Sequence, residues 1–461
     1  MEKQHCLLIA DDLTGGADAG VQFVKRGLKT LLIPFRGDRP VPFMAHPADV
    51  LVINTITRGL PPAEAFDILS VLSGLLKSFD PKRFPILYKK IDSTLRGNIG
   101  SEIDAILRET NLPLCFLAPS YPEQGRVLVG GIMMVGEKPL ALTEAARDTA
   151  SPVQESHICK LLANQTSLSI GKIDLTHVAS GKEALRRVVD REQRAGRRII
   201  IFDAVSRRDL ATITEVALSM ETVPLLAGSA GLAGEVARIL APARINAEPE
   251  RQRIFRHVLI IGGSASAVTH AQLQRLRDGG LPSFELPRDL VSDGGKAGTE
   301  NRRKLAILLG STLAGGSAIF RTFTERWTGN GDGAAPVPQR ITGVMADVAV
   351  AALEEARVDA GDLALILTGG DTALAVLQLL DYEGIELEEE LLAGIVLGKL
   401  RGGPWDGLTV VTKAGAFGQE DALVRIVERL ETAAGEAGKG GTLHHKLWDA
   451  RQPKRGREDG R

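Results

Sequence analysis

The 461-residue chain has few cysteines, few aromatic residues and almost no net charge. Its three cysteines, Cys6, Cys115 and Cys159, are too sparse and too widely spaced for a disulfide framework or a zinc site. An aromatic content of 4% argues against a protein that reads nucleic acid by stacking bases on aromatic side chains. The formal net charge of -1 gives no overall field that would attract nucleic acid or an acidic membrane surface.

Long hydrophobic runs and a signal sequence are missing as well. No uninterrupted run reaches about 18 apolar residues, the length expected of a membrane-spanning helix. The first apolar stretch, CLLIA, is very short and is followed by a carboxylate pair, which is unlike a cleavable signal. We therefore expect a cytoplasmic protein with no membrane and no nucleic-acid partner. These features leave self-association into a homo-oligomer open.

Glycine is abundant, with 50 residues, and the hydrophobic content is 44%. Apolar strand-like runs alternate with helix-like segments, a pattern typical of parallel sheets with helical crossovers. We predict an α/β protein of two three-layer domains, with largely parallel sheets and a cleft between them. The predicted domains are residues 1–242 and 257–431, joined by the charged linker 243–256 and followed by a disordered tail, 432–461. Residues 121–152 interrupt the pattern and are predicted to form irregular structure with short strands.

The densest polar motif follows the apolar run FPILY and reads YKKIDSTLRG, residues 88–97. Open α/β sheets bind ligands at the carboxyl ends of their strands, so this position suits a binding site. Clustered lysine and arginine favour an anionic ligand, either a carboxylate or a phosphate. The alternative is a solvated loop in which Asp92, Ser93 and Thr94 cap a helix that begins near Leu95.

A carboxylate pair, Asp11 and Asp12, stands at the end of the first predicted strand, before a predicted turn that ends at Gly16. Adjacent strand residues point to opposite faces, so the two carboxylates need not share a task. One can accept a proton from a hydroxyl or help to hold a cation, while the other caps the next helix. The alternative is that Asp12 and Thr14 serve only as helix caps. Asp18, one helical turn further on, adds a third carboxylate and favours a functional role.

Three glycine turns, each between a predicted strand and a predicted helix, mark the C-terminal half: residues 262–266, 368–373 and 412–418. Glycine lets backbone N–H groups approach phosphate oxygens, and the helix N-termini that follow favour negative charge. Three such turns, one of them containing Lys413, indicate a nucleotide site. None fits the GxxxxGKS/T or GxGxxG pattern, so neither a standard P-loop nor a standard dinucleotide site is predicted. The eight histidines do not cluster, and we assign none of them to a site.

Eight short motifs occur in order along nearly the whole chain: ADDLTGGAD, YKKIDSTLRGN, APSYPEQGR, ARDTASPVQES, GSAGLA, GSASAVTHAQ, LTGGDTA and TKAGAFG. In these motifs the sequence resembles the four-carbon acid sugar kinase family, two-domain enzymes that phosphorylate threonate, erythronate or oxo-tetronate with ATP. The resemblance implies that the N-terminal domain binds the sugar acid and that the C-terminal domain binds ATP. It carries the substrate role to Asp12, Arg58, Lys90, Asp92, Ser93, Thr94 and Arg96. It carries the ATP role to Ser264, Gly369, Gly370, Asp371, Thr372 and Gly415.

Phosphoryl transfer depends mostly on positioning and charge neutralisation, with Mg²⁺ bridging the phosphates of ATP. Three cations suit the substrate carboxylate: Arg58, Lys90 and Arg96. Three groups suit its hydroxyls: Asp92, Ser93 and Thr94. Asp12 is our first candidate for the carboxylate that accepts the hydroxyl proton, and Asp92 is the second. The candidate substrate-binding set also includes Asp11, the candidate nucleotide-binding set also includes Lys413, and the metal ligands stay unassigned.

Two other functions stay open at this point. One is an NAD-dependent oxidoreductase of a sugar acid, against which the missing GxGxxG pattern argues. The other is a non-catalytic sugar-acid sensor, although Asp11, Asp12 and Asp92 are more carboxylates than such a sensor needs. The role of Arg96 is open in the same way, because it either binds the substrate carboxylate or pairs with Glu102 and braces its loop.

Overall fold

The computed structural model describes residues 5–37, 48–75, 86–148, 151–242, 253–292, 296–323 and 337–431. The predicted disordered tail, 432–461, and most of the predicted linker lie outside these ranges. Among the described helices, none is long and apolar enough to cross a membrane.

The chain divides into two compact units. The first unit comprises residues 1–248 and 384–389, and the second comprises residues 249–383 and 390–461. An α/β protein with two units was predicted and is confirmed, but the return of residues 384–389 to the first unit was not predicted. The predicted cleft between the domains stays a prediction.

The described elements of the first unit follow one another as strands and helices. In chain order they are β1 (Cys6–Ala10), α1 (Leu13–Val24), β2 (Thr30–Pro34), β3 (Val50–Asn54), α2 (Pro62–Leu75), β4 (Ile86–Lys90), α3 (Ile99–Thr110), β5 (Cys115–Ala118), β6 (Arg126–Val129), β7 (Ile132–Val135), β8 (Lys138–Pro139), α4 (Ile158–Ala163), β9 (Ile170–Ile173), α5 (Leu175–Ala179), α6 (Lys182–Arg194), β10 (Ile199–Phe202), α7 (Arg207–Leu218), β11 (Leu225–Gly228) and α8 (Ala230–Leu240).

The described elements of the second unit repeat this alternation. In chain order they are β12 (His257–Gly262), α9 (Ala267–Asp278), β13 (Ser283–Glu285), α10 (Asp289–Ser292), α11 (Lys296–Gly315), β14 (Ala318–Arg321), α12 (Val337–Ala356), β15 (Leu363–Thr368), α13 (Gly370–Leu379), β16 (Gly384–Leu392), β17 (Ile395–Arg401), β18 (Thr409–Lys413) and α14 (Ala422–Glu431). Strand β16 contributes its first six residues to the first unit and its last three to the second.

Parallel pairing dominates the main sheet of the first unit, in which the strand order is β16-β2-β3-β1-β4-β11-β5-β10-β9. Each neighbouring pair from β2 to β9 is parallel, and β16 pairs antiparallel with β2. Strands β1, β3 and β4 are buried along all five of their residues. Such burial is typical of parallel strands whose two faces are both covered by helices.

The carboxyl ends of four neighbouring strands, β3, β1, β4 and β11, lie in register at the C-terminal end of this sheet. Ala10 pairs with Asn54 on one side and with Lys90 on the other, and Lys90 pairs with Gly228. The residues that directly follow these four positions therefore leave the sheet at the same edge. This register brings the polar loops after β1, β3 and β4 next to one another, where open α/β sheets bind ligands.

The segment that interrupts the alternation forms a small sheet of its own. Strands β6, β7 and β8 pair antiparallel between residues 126 and 139. The predicted irregular segment with short strands is therefore confirmed.

In the second unit the strand order runs β13-β14-β12-β15-β18-β17. All of these pairs are parallel except β17 with β18, which is antiparallel. Strands β16 and β17 and helices α11 and α12 were not predicted from the sequence; β16, for example, has four glutamates among its nine residues.

One predicted helix start is wrong by about one turn. Helix α1 begins at Leu13 instead of residue 17, because the Asp12 carboxylate accepts a hydrogen bond from the Gly15 N–H at 3.1 Å and caps the helix. The helix after β4 begins at Ile99, so the alternative in which Asp92, Ser93 and Thr94 cap a helix that begins near Leu95 is wrong. Leu95 has a φ of 57° and Gly97 a φ of 93°, and neither value fits a right-handed helix.

Helices α11 and α12 provide a direct test of the packing in the second unit. A Cβ atom on Gly310, in α11, would lie 2.7 Å from the backbone oxygen of Ala352 in α12, whereas a Cβ on Gly343 would meet no atom within 4 Å. We expect Gly310→Ala to lower the free energy of unfolding by about 1–3 kcal/mol. The matched control, Gly343→Ala, should raise it by about 0.5–1 kcal/mol through helix propensity. Urea denaturation that shows the same sign for both variants would contradict this packing.

Candidate functional site

The loops after β1 and β3 are joined by one guanidinium. Arg58 donates from Nε to Asp11 Oδ2 at 3.0 Å and from Nη2 to Asp11 Oδ1 at 2.9 Å, which is a two-pronged ion pair. The same Nη2 also donates to Asp12 Oδ1. Asp11 and Asp12 therefore share a partner, although adjacent residues within a strand point to opposite faces, because β1 ends at Ala10 and both residues lie beyond it.

Asp12 has a second structural task at the start of α1. Its Oδ1 accepts from the Gly15 N–H at 3.1 Å, and its Oδ2 accepts from the Thr14 hydroxyl at 2.8 Å. The capping alternative is thus right for Asp12, but Asp12 also binds Arg58. Residue 15 is glycine because a side chain there would collide with the Asp12 carboxylate and with the ammonium of Lys90, which lies 2.9 Å from the Cβ position.

The loop after β4 is built around a second carboxylate–guanidinium pair. Arg96 donates from Nε to Asp92 Oδ2 at 2.8 Å and from Nη2 to Asp92 Oδ1 at 3.1 Å. The hydroxyl and the N–H of Thr94 also donate to Asp92 Oδ2. Arg96 reaches further with Nη1, which donates to Asp148 Oδ2 at 3.0 Å. The proposed partnership of Arg96 with Glu102 is wrong, because Glu102 pairs with Lys89 at 2.7 Å.

The two adjacent lysines of β4 serve opposite faces of the sheet, as strand alternation requires. Lys89 is fully buried and its ammonium binds Glu102 of α3 at 2.7 Å. Lys90 is also buried, and its ammonium lies beside Gly15 of α1. Within the described ranges Lys90 forms no ion pair and donates to the backbone oxygen of Ile91 at 2.8 Å. Lys90 is therefore a buried cation with which no carboxylate of the described residues forms an ion pair.

The cations of this site lower the pKa of Asp11 and of Asp92 despite the burial of both carboxylates. Burial alone would raise the pKa of Asp92, but Arg96 and Arg58 hold it well below its usual range. Burial would also raise the pKa of Asp11, which Arg58 and Lys89 lower. Burial does raise the pKa of Glu102, although Lys89 opposes this effect. Burial would lower the pKa of Arg58, but Asp11 and Asp12 raise it, so this guanidinium stays charged.

The structure adds residues that the sequence analysis did not assign. Asp148 binds Arg96 and accepts from the Ser151 N–H at 2.9 Å, and the Ser151 hydroxyl donates to the backbone oxygen of Arg58 at 2.9 Å. Both residues lie in the motif ARDTASPVQES, which contributed to the family resemblance although none of its residues was assigned to a site. Arg126, at the start of β6, lies within electrostatic range of Asp92, and burial lowers its pKa.

In the second unit the three glycine turns lie close together. A Cβ on Gly369 would lie 3.3 Å from the backbone and side chain of Ser264, and a Cβ on Gly415 would lie 3.0 Å from Ser264 Cβ. A Cβ on Gly263 would lie 2.8 Å from Thr372 Cβ. Ser264 therefore lies between the other two turns. Gly369, with a φ of 99°, precedes α13, whose first residue is Gly370 and whose first turn contains the exposed Asp371.

Lys413 points into this group of turns. Its fully buried ammonium donates to the backbone oxygens of Ala414 and Gly415, both at 3.1 Å, and to the Thr269 hydroxyl at 3.3 Å. Burial lowers its pKa to about 8. These bonds fix the backbone of the third turn, so the lysine contributes to the shape of the site through the turn.

The described residues of the second unit suit a magnesium ion only in a site that phosphates and water molecules complete. Among the described residues no group of three or more His, Cys, Asp or Glu side chains is suited to holding a metal ion. Mg²⁺ in nucleotide sites keeps several waters and needs only one or two protein carboxylates besides the phosphates. The exposed carboxylate of Asp371, at the N-terminus of α13, is a donor of that kind.

Comparison with known families matches the two halves separately. Residues 6–236 match the family described as the sugar-binding N-terminal domain, and residues 259–423 match the family described as the nucleotide-binding C-terminal domain.

Curated relatives extend over nearly the whole chain. A D-threonate kinase of Salmonella typhimurium is 31% identical over 430 residues, which cover 90% of this chain and 96% of the relative. A D-erythronate kinase of Heliobacterium modesticaldum is 29% identical, with coverage of 93% and 97%. A 3-oxo-tetronate kinase of Pseudomonas savastanoi is 26% identical, with coverage of 92% and 97%.

Two solved structures share the fold. A protein of Salmonella typhimurium LT2 superimposes with a TM-score of 0.73 at 22% identity, over 92% of this chain and 99% of the other. A protein of Haemophilus influenzae gives a TM-score of 0.68 at 22% identity, over 92% and 100%. At this level of identity both support the fold alone.

Arg96→Lys tests whether the Asp92–Arg96 pair holds the loop after β4. Lysine keeps the charge and loses the two-pronged geometry. We expect the free energy of unfolding at pH 7 to fall by about 1.5–3 kcal/mol. Arg186→Lys is the matched control, because Arg186 forms a partly exposed pair with Asp190 at the same spacing, and should cost less than about 1 kcal/mol.

The pH dependence of this difference follows from the Asp92 pKa. The folded-state pKa lies well below the ordinary value of 3.8, so the pair contributes its full stability above that value. The contribution is lost as the pH falls through the folded-state pKa. The stability gap between the parent and Arg96→Lys should therefore shrink in strong acid. A gap that is absent at pH 7, or that widens in acid, would contradict the pairing.

Proposed function

The chain belongs to the four-carbon acid sugar kinase family, and on that basis we propose that it transfers the γ-phosphoryl group of ATP to a terminal hydroxyl of threonate, erythronate or an oxo-tetronate. The observation that carries this function is the match of a sugar-binding family to residues 6–236 and of a nucleotide-binding family to residues 259–423. The three relatives described above are all kinases of four-carbon sugar acids.

Lys90 is the group that we assign to the substrate carboxylate. Both arginines among the candidate substrate-binding residues already bind carboxylates, Arg58 those of Asp11 and Asp12, and Arg96 those of Asp92 and Asp148. The Lys90 ammonium has only a backbone oxygen as its direct partner within the described ranges. A carboxylate beside Lys90 would also lie near the N-terminus of α1, which favours negative charge. Arg58 and Arg96 then position the site through their paired carboxylates.

Asp12 is better suited than Asp92 to accept the proton of the attacking hydroxyl. Both oxygens of Asp92 accept from Arg96, and the pKa of Asp92 is held well below its usual range, so it is a weak base. Asp12 Oδ2 accepts only from the Thr14 hydroxyl among the described groups, which leaves room for a second donor. Ser93 and Thr94 lie in the same loop and supply hydroxyls that can contact those of the sugar acid.

The transfer itself forms a bond between the substrate oxygen and the γ-phosphorus and breaks the bond from that phosphorus to the β–γ bridging oxygen. The hydroxyl proton goes to Asp12, and ADP leaves. In the second unit, the backbone N–H groups around Ser264 and Gly415 and the N-terminus of α13, which follows Gly369, bind the phosphates. Mg²⁺ supplies neutralisation of the phosphate charge when bound with ATP, and Asp371 is the residue that would hold it.

The test of this function is ADP release from ATP and Mg²⁺ with a panel of four-carbon sugar acids. We expect turnover with at least one threonate, erythronate or oxo-tetronate and a phosphorylated acid as the product. A full panel of stereoisomers without any phosphorylated product would refute the kinase assignment. ADP release that is independent of the acid would show only hydrolysis and would also count against it.

Two matched substitutions separate the candidate bases. Asp12→Asn should lower kcat by about 10²–10⁴-fold, because amide nitrogen cannot replace a proton-accepting oxygen. Asp92→Asn should act mainly on the KM for the sugar acid, because Asp92 holds the loop through Arg96. Steady-state kinetics on folded variants, verified by thermal melting, give both values. A kcat loss that is larger in Asp92→Asn than in Asp12→Asn would reverse the assignment.

A further inference from the structure

We propose that the buried residues Lys89, Glu102 and Thr57 form a positioning network that fixes Arg58 in the sugar-acid site. Of these residues only Lys89 was linked to the site above, through its effect on the pKa of Asp11. Among the described residues, no hydrogen bond or ion pair joins their side chains to those of Asp11, Arg58 or Asp12. The inference rests on the proposed function, because it concerns how the sugar acid is bound. It goes beyond that function in assigning part of the affinity to residues beneath the site.

The ion pair at the base of this network is fully enclosed. The side chains of Lys89 and Glu102 are 0% and 1% exposed, and their charged atoms lie 2.7 Å apart. Removing two charges from water is unfavourable, and replacing such a pair by apolar residues of similar size is often neutral or stabilising. Stability alone therefore does not account for a lysine and a glutamate at these two positions.

The remaining contacts of Glu102 point to the loop after β3. The Thr57 hydroxyl donates to Glu102 Oε1, and the oxygens of the Thr55 and Thr57 hydroxyls lie 2.8 Å apart. Asn98, the residue before α3, donates from its side-chain amide to the backbone oxygens of Thr57 at 3.1 Å and of Leu60 at 2.8 Å. The first turn of α3 and the residue before it thus hold the loop that contains Arg58 through hydrogen bonds to Thr57 and Leu60.

Backbone strain lies within the held segment. Ile56, between the two threonines, has a φ of 59°, a conformation that is rare for a β-branched residue. Such strain persists only where the surrounding structure fixes it. Here the hydroxyls on both sides of Ile56 are buried and hydrogen-bonded. The turn at Ile56 directs Thr57 inward to Glu102 and is followed by Arg58, whose N–H donates to the Asp11 backbone oxygen at 3.2 Å.

The network therefore links three elements whose relative positions must be fixed for the site to form. Lys89 belongs to β4, Glu102 to α3, and Thr57 to the loop after β3. If Thr57 is released, the strained loop can relax, and the Arg58 guanidinium loses its fixed position between Asp11 and Asp12. Lys90, next to Lys89 in β4, stays in place, but Asp11 and Asp12 lose the partner that fixes them beside it, so we expect weaker binding of the sugar acid.

The test compares Thr57→Val with Thr57→Ser and with a control. Valine keeps the shape and removes the hydroxyl, whereas serine keeps the hydroxyl. Thr214→Val is the control, because Thr214 is equally buried in α7 and its hydroxyl donates only to the Leu210 backbone oxygen. We expect Thr57→Val to raise the KM for the sugar acid about tenfold or more, with the KM for ATP within about twofold of the parent. Thr57→Ser should restore the parent KM, and Thr214→Val should not change it.

A second measurement does not depend on turnover. Hydrogen exchange of the peptide that contains residues 55–60, followed by mass spectrometry, should be faster in Thr57→Val than in the parent and unchanged in Thr214→Val. Absence of turnover in the parent would refute the proposed function and leave the exchange result to judge the network. Parent-like exchange in a folded Thr57→Val would overturn the network. A sugar-acid KM that rises equally in Thr57→Val and Thr214→Val would overturn it as well, because the effect would then be general.

Discussion

The guanidinium of Arg58, shared between Asp11 and Asp12, is the interaction on which the rest of the first-unit site depends. It joins the loops that follow β1 and β3, and it forms only because Ala10 and Asn54 end their strands in register. The same register brings Lys90 to this edge from β4. Gly97 can approach the pair because it has no side chain, since a Cβ there would lie 3.0 Å from Asp11 Oδ2.

The two units differ in the groups that form their candidate sites. The first unit uses charged side chains, and ion pairs fix the positions of Asp11, Asp12, Arg58, Asp92 and Arg96. The second unit uses backbone groups, which glycines allow to approach closely at Gly263, Gly369 and Gly415. Side chains suit the distinct hydroxyl and carboxylate groups of a sugar acid, whereas backbone N–H groups suit phosphate oxygens.

Much of the fold follows from local patterns in the sequence. Apolar runs such as CLLIA and VLVIN predict buried parallel strands, and the glycine turns mark where helices follow them. Strand β16 was not predictable in this way. Its pairing with β2 joins residues more than 350 positions apart, for example Leu31 with Glu386, and no local pattern specifies such a contact.

In the candidate site, too, the residue types were predictable from the sequence, but the side chains that pair with one another were not. The charged residues of YKKIDSTLRG were recognised as a site from their density, but their partners were not. Asp148 reaches Arg96 from 52 positions away, and Glu102 binds Lys89 instead of Arg96. Alternation correctly separates Lys89 from Lys90, which lie within a strand, and fails for Asp11 and Asp12, which lie beyond one. Periodicity predicts side-chain direction only as far as the regular structure extends.

We propose that the first unit binds the sugar acid and that the second binds the nucleotide. Calorimetry on two glycine variants, Gly15→Val and Gly415→Val, separates the two binding sites. A side chain at residue 15 would collide with Asp12 and Lys90, and one at residue 415 would collide with Ser264. Gly15→Val should lose affinity for the sugar acid and keep affinity for ATP, and Gly415→Val should show the opposite pattern. Parent-like ATP affinity in Gly415→Val, or loss of both ligands in each folded variant, would contradict the account.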